Sequence, residues 1–305
     1  METSKTASLR WTIGAVARAT GLSPDTLRVW QKRYGFPVPR RKPSGHRLYT
    51  EGDVRRLRRI SEAIARGHRP GHVVRLAEPN LESLLVSTGK GAARAGPAAP
   101  ALRPLLSFVR ALDGDGLMGE LLANAAALGP LEFLRRRVVP LVQEVGDAWA
   151  RGAIGVHHEH LFSERLEDVL RTVRMPFERG PGRPALLLAT LTEETHALGL
   201  QMAALVAAFS GAGPVILGTD TPVSDIVAAA RARRCAAVGI SISISTGGPA
   251  SRDRLAALRE GLPASVLLLV GGLGARRSHP PGGCVIVEDL EALADWARRL
   301  AARSN

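Results

Sequence analysis

The chain has 305 residues, enough for two or three domains each with its own core, and 45% of them are hydrophobic but only 4% aromatic. Its net charge of +13 is concentrated: residues 1–76 hold 17 Lys and Arg against 5 Asp and Glu, and the other 229 residues carry only +1. The longest apolar stretch, around Val266–Val270, falls far short of the ~20 residues of a membrane span, and no signal peptide is visible, so the chain reads as cytoplasmic with no membrane partner. Cys235 and Cys284 lie in apolar surroundings without Cys-x-x-Cys spacing; they read as buried thiols rather than a zinc site or a disulfide.

Residues 12–20 and 24–34 have helical period, with Gly21-Leu22-Ser23 as the turn, Ser23 as N-cap and Pro24 at the first helical position. Residues 35–50 are basic and broken by Gly35, Pro37, Pro39, Pro43 and Gly45. Glu51–Arg66 returns to helical period through Val54, Leu57, Ile60 and Ile64, and a short helix is predicted around Gly71–Leu76. Two short helices with a basic second helix form a helix-turn-helix pattern, in which the second helix enters the major groove. Ser23, Thr26, Arg28 and Arg33 have the chemistry for phosphates and base edges, and a turn at Ser44-Gly45 would set Arg41, His46, Arg47 and Tyr49 beside a duplex. A basic first quarter on a nearly neutral body is the footprint of a nucleic-acid reader. The bland alternatives are a solvated basic face and, for Trp30, Tyr34 and Tyr49, core packing.

Thr12 to about Leu76 resembles the winged helix-turn-helix of the MerR family, down to Gly45-His46-Arg47-Leu48-Tyr49 and the Asp53-Val54-x-x-Leu57 start of the next helix. The resemblance implies that Arg47 and Tyr49 bind backbone phosphate of an operator. MerR chains end this region in a long dimerising helix. Here a Gly/Ala/Pro-rich stretch, 87–102, reads as a linker, so self-association must come from elsewhere.

Residues 102–175 carry four helical patterns broken at Asp113-Gly114-Asp115-Gly116, Gly129-Pro130 and Gly152, a length suited to a four-helix bundle. Beyond a Gly/Pro break at Arg179–Arg183, short apolar strands alternate with helices. Strands are predicted at Pro184–Thr190, Pro214–Leu217, Ala236–Ser243, Ser265–Val270 and Cys284–Val287. That pattern predicts a doubly wound parallel α/β sheet with Rossmann-like topology. The expected organisation is multidomain: a winged helix-turn-helix at 8–78, a linker, a four-helix bundle at 103–177 and the α/β sheet at 184–303.

One histidine stands at the centre of a spaced set. Glu194-Thr195-His196-Ala197-Leu198-Gly199 is followed after 41 residues by Ser241-Ile242-Ser243 and after 27 more by Gly271-Gly272. Imidazole nitrogen serves cobalt well, and Glu194 can fix the histidine tautomer by accepting its other ring N–H. All these points fall at the carboxyl ends of strands, where open α/β sheets bind ligands. The set resembles the cobalamin-binding signature (Asp/Glu)-x-His-x-x-Gly…Ser-x-Leu…Gly-Gly of methionine synthase and the cobalamin mutases, with Ser-x-Ser in place of Ser-x-Leu. The resemblance implies His196 as the lower cobalt ligand. Gly199, Ser241, Ser243, Gly271 and Gly272 would then surround the nucleotide tail.

Trp149, nine intervening residues and Glu159-His160 resemble the upper-face motif of adenosylcobalamin-dependent photoreceptor repressors of the CarH/LitR type. By that resemblance Trp149 and Val156 line the adenosyl pocket, Glu159 hydrogen-bonds the nucleoside and His160 supports the same face. The family's histidine directly after the tryptophan is Ala150 here, which cannot ligate cobalt; His157 and His158 lie nearby as substitutes or as surface residues. The resemblance implies a transcription regulator, not an enzyme. It would be a homotetramer on double-stranded DNA when loaded with adenosylcobalamin in the dark, repressing carotenoid or photoprotection genes until light breaks the cobalt–carbon bond. Two other readings remain: a MerR-type activator or corrinoid sensor without working photochemistry, and a corrinoid methyl carrier or mutase component.

Overall fold

The computed structural model describes residues 9–22, 24–41, 47–65, 70–87, 102–150, 152–178 and 182–304. They form two compact units: residues up to Pro100 together with Glu144–Val156, and Ala101–Gln143 together with His157–Asn305.

In the first unit, strand β1 (Leu9–Thr12) leads into α1 (Ile13–Thr20) and α2 (Pro24–Tyr34). The Thr12 hydroxyl accepts from Ala15 N at 3.3 Å, and α1 ends at Gly21 with φ 66°, a conformation that favours glycine. Strands β2 (Arg40–Arg41) and β3 (Arg47–Thr50) complete an antiparallel sheet in the order β1-β3-β2, the wing. Its outer strand β1 has no helical or alternating pattern of its own. It exists because Trp11 pairs with Tyr49 in register and donates its indole N–H to Glu51 at 2.8 Å.

Helix α3 (Glu51–Ala65) opens on a reciprocal cap: Thr50 N donates to the Asp53 carboxylate at 2.8 Å, and Asp53 N donates to the Thr50 hydroxyl at 3.1 Å. The short helix predicted at Gly71–Leu76 is α4 (Pro70–Val73), and a further helix, α5 (Glu78–Ser87), packs Leu81 into the core beside Val16, Leu27, Trp30, Val54, Leu57 and Ile60. Ser23, His46 and the Ser44-Gly45 turn lie outside the described residues.

The four helical patterns are α6 (Arg103–Ala111), α7 (Gly114–Leu128), a third run made of α8 (Pro130–Phe133), a π turn over Leu134–Val138 and α9 (Val139–Ala150), and α10 (Val156–Arg174). Asp113 caps α7 by accepting from Gly116 N at 2.8 Å. The π turn precedes Pro140, which has no N–H for the carbonyl one turn back, so the chain widens rather than breaks.

Five parallel strands follow: β4 (Ala185–Leu191), β5 (Gly213–Thr221), β6 (Ala237–Ser241), β7 (Leu267–Gly271) and β8 (Cys284–Ile286), in the order β5-β4-β6-β7-β8. Helices α11 (Leu198–Phe209), α12 (Val223–Ala232), α13 (Pro249–Gly261) and α14 (Leu290–Ser304) fill the gaps. Both faces of the central strands are covered, so Leu187, Val238, Ile240, Leu268 and Val270 read as continuous apolar runs. At Gly239, in the centre, an added Cβ would lie 2.7 Å from Leu188 Cδ2, so that side chain would have to shift. Neither cysteine is in a disulfide; Cys235 is buried and Cys284 half-buried. No helix among the described residues is long and apolar enough to cross a membrane.

Candidate functional site

The loop after β4 carries Glu194 and His196, and it is pinned from three sides. Thr190 donates to Glu194 O at 2.6 Å, Asp220 N donates to the same carbonyl at 2.9 Å, and Arg254 donates to Thr192 O at 2.8 Å. The Glu194 side chain is 3% exposed, whereas the His196 ring is 58% exposed. One carboxylate oxygen, Oε1, accepts from His196 N at 3.0 Å and lies 2.5 Å from His196 Nδ1. The other, Oε2, accepts from Ser243 N at 2.8 Å and from the Thr246 hydroxyl.

Burial pushes the Glu194 carboxyl up, but the hydrogen bond and charge of His196 and the hydrogen bonds of Ser243 and Thr246 outweigh it and hold the pKa at about 2. Glu194 is therefore ionised and Nδ1 carries the proton. The Glu194 hydrogen bond in turn raises the imidazole pKa, against the effect of burial, with the charges of Glu194 and Glu159 adding to it. The result is a fixed ring whose other nitrogen, Nε2, is made more basic and has no hydrogen-bond partner among the described residues. No group of three or more His, Cys, Asp or Glu among those residues could hold a bare metal ion. A lone, oriented imidazole suits a metal that arrives with its other ligands in place.

Gly199, Ser241, Gly271 and Gly272 line one cavity of about 590 Å³ beside the sheet ends, within the range of a cofactor-sized pocket. Its walls include Leu188, Ile240, Leu269 and Val287, with Arg135, Arg276 and Glu288 at polar positions. Two glycines have protein rather than ligand against them. An added Cβ at Gly199 would lie 2.5 Å from Ser241 Oγ, and one at Gly272, whose φ is +90°, would lie 2.4 Å from Ile242 O. Their expected role, room for a ligand, is thus joined by a structural one: they let the ends of β6 and β7 and the start of α11 close together.

Glu159 and His160 form a pair, with His160 Nδ1 2.8 Å from the Glu159 carboxylate and Ser163 donating to Glu159 at 2.7 Å. Trp149 and Val156, expected beside them, are grouped instead with the first unit. Arg58 lies 4.1 Å above the Trp149 ring, and Val156 packs against that unit's core. Thr246 was missed in the sequence; the hydroxyl run Ser241–Thr246 was its one local signal.

On the winged unit, Arg28, Arg33 and Arg41 are exposed, while Thr26 and Arg47 are half-buried. Arg47 Nε is enclosed with no hydrogen-bond partner among the described residues. Tyr49 corrects an expectation: it is 1% exposed, packed in the core, and burial raises its pKa, so its phenol is not presented to a duplex in this arrangement. Trp30, 6% exposed, is likewise core.

Comparison with known proteins matches this geometry. Residues 11–78 match the MerR HTH family of regulatory proteins, and residues 103–174 and 184–294 each match a B12 binding domain. The chain is 31% identical over 289 residues to the HTH-type transcriptional repressor CarH of Myxococcus xanthus, covering 94% of this chain and 96% of that one. It is 29% identical to CarA of the same organism, covering 87% of each. The monomethylamine corrinoid protein of Methanosarcina barkeri shares the fold over 64% of this chain and 96% of its own, with TM-score 0.52 at 17% identity. A winged DNA-binding head, a helical B12-binding domain and a parallel-sheet B12-binding domain in one chain, with this level of identity over nearly its whole length, make the protein a member of the family of MerR-type, cobalamin-binding transcriptional regulators to which CarH belongs.

Proposed function

We propose that this chain is an adenosylcobalamin-dependent repressor that holds its operator in the dark and releases it in light. The observation that carries the reading is the His196 ring, locked through Nδ1 onto a buried carboxylate with Nε2 left for a metal. His196 would hold the cobalt through Nε2, Glu194 would orient the ring, and Gly199, Ser241, Ser243, Gly271 and Gly272 would surround the nucleotide tail. Glu159 and His160 would face the nucleoside of the cofactor, with Trp149 and Val156 as the further residues that the family resemblance assigns to it. When bound, adenosylcobalamin supplies a light-labile cobalt–carbon bond. Loading would favour assembly into a homotetramer whose several heads bind DNA together and gain avidity. By analogy with the family the targets are carotenoid or photoprotection genes.

The test is adenosylcobalamin added to purified protein in the dark, with size exclusion and absorbance before and after green light. Dark assembly that light reverses is the expected result; binding with no change of size would overturn the light response. The second reading, a cobalamin sensor without working photochemistry, is favoured by one observation: the position after Trp149 is Ala150, which has no atom to ligate cobalt once the adenosyl group has left.

On the DNA, Arg28, Arg33, Arg41 and Arg47 contact the duplex, with Thr26 beside them. The half-buried guanidinium of Arg47 is suited to a phosphate oxygen. Arg47→Ala should weaken binding uniformly across operator sequences and lower the slope of log affinity against log salt by about 1, measured by fluorescence anisotropy from 50 to 200 mM salt. A changed base preference with an unchanged slope would assign Arg47 to base readout instead.

A further inference from the structure

The segment Glu144–Val156 is grouped with the winged head although it lies between two bundle helices in sequence. Three contacts hold it there. The Arg58 guanidinium of α3 stacks 4.1 Å over the Trp149 ring, and Arg58, itself 3% exposed, also donates through Nε to Ala19 O of α1 at 3.3 Å. Gly152 fits against Arg55, where an added Cβ would lie 3.6 Å from Arg55 Cδ. Val156 packs on the core that holds Leu27, Trp30 and Leu57. One group is left wanting. The Trp149 indole N–H is enclosed and has no acceptor among the described residues. An enclosed donor without an acceptor is unfavourable.

We propose that Glu144–Val156 is a two-position clasp. Without cofactor, Trp149 and Val156 are held by the winged head through Arg58. With a cobalamin carrying an upper nucleoside, both residues transfer to that nucleoside, whose ring nitrogens and hydroxyls offer the acceptor that the indole lacks, and the head is let go. The clasp rests on the reading of Trp149 and Val156 as upper-face residues. It makes cofactor occupancy and head release two sides of one equilibrium, because the same two side chains cannot be enclosed by both surfaces. Arg58 is the positioning residue, and its bond to Ala19 ties the clasp to the helix that precedes the recognition helix.

The test compares full-length wild type, Arg58→Ala and Arg58→Lys. Adenosylcobalamin affinity is measured in the dark, and amide hydrogen exchange of residues 51–65 is followed with and without cofactor. Removing the clasp destabilises only the cofactor-free state, so Arg58→Ala is expected to bind about fivefold to tenfold more tightly, with Arg58→Lys, which keeps a cation over the ring, close to wild type. In wild type, cofactor should raise exchange in 51–65, a readout that stands even if Arg58→Ala folds poorly. Equal or weaker affinity in a folded Arg58→Ala, or exchange in wild type that cofactor leaves unchanged, overturns the clasp while the cobalamin reading survives. If wild type takes up no adenosylcobalamin, that reading fails and the clasp falls with it.

Discussion

His196→Ala is expected to abolish the imidazole-ligated cobalamin spectrum and to weaken cobalamin uptake by at least about a hundredfold. The magnitude follows from the hierarchy of metal sites: loss of a group that merely orients a ligand costs about 10–100-fold in affinity, so loss of the ligand itself costs no less. The variant should fold. The ring is 58% exposed and lies on a loop held by Thr190, Asp220 and Arg254, none of which needs the imidazole. What the substitution leaves behind is a buried Glu194 that still accepts from the backbone N–H groups of residues 196 and 243 and from Thr246. The effect is therefore on the metal rather than on the loop. Absorbance of the reconstituted protein in the dark reads it directly, and an unchanged histidine-ligated spectrum would exclude His196 and direct the search to His157, His158 or His160. The same substitution should leave DNA contacts on the winged head untouched in the cofactor-free chain, which separates a ligand defect from a folding defect.

The parallel sheet was legible in the sequence because buried strands are short apolar runs bounded by Gly and Pro; β4 to β8 each begin or end within a few residues of the predicted limits. The signature around His196 was legible because its chemistry is local: Glu194 and His196 sit two residues apart on one loop. Where partners are distant, the reading failed. Strand β1 depends on β3 and Glu51, some 40 residues on, and Thr246 reaches Glu194 across 52 residues, so neither announces itself in its own neighbourhood. Helix α5 lacks a strong periodic face and is fixed by burying Leu81. Trp149 is the sharpest case. Its spacing to Glu159-His160 names a motif, yet its ring lies under Arg58 of α3, far away in the chain, and no local pattern encodes that contact.

Glu194→Gln carries the second large effect, because four donors converge on this carboxylate. Oε1 takes the His196 backbone N–H and ring Nδ1, and Oε2 takes the Ser243 N–H and the Thr246 hydroxyl. An amide has one accepting oxygen, so glutamine must set its NH2 against one pair of donors. If the oxygen stays with His196, the Ser243 loop is repelled; if it turns to Ser243, the imidazole loses the partner that fixes its tautomer. Either way cobalamin affinity should fall about 10–100-fold.

The same carboxylate gives an acid limb. Its pKa is depressed from 4.5 to about 2 in the folded chain, so its contribution is fully present above about pH 4.5 and lost as pH falls toward 2. The size is on the order of 3 kcal/mol, with about 2 kcal/mol of it lost by pH 3. The raised pKa of His196 works in the opposite direction, its share being lost as pH rises through the folded value, so the pair is strongest between the two. Urea unfolding of the cofactor-free protein at pH 6 and pH 3 isolates the acid side: wild type should lose about 2 kcal/mol more than Glu194→Gln. Equal losses would mean that the buried carboxylate is not what holds this loop, and that the orientation of His196 has another source.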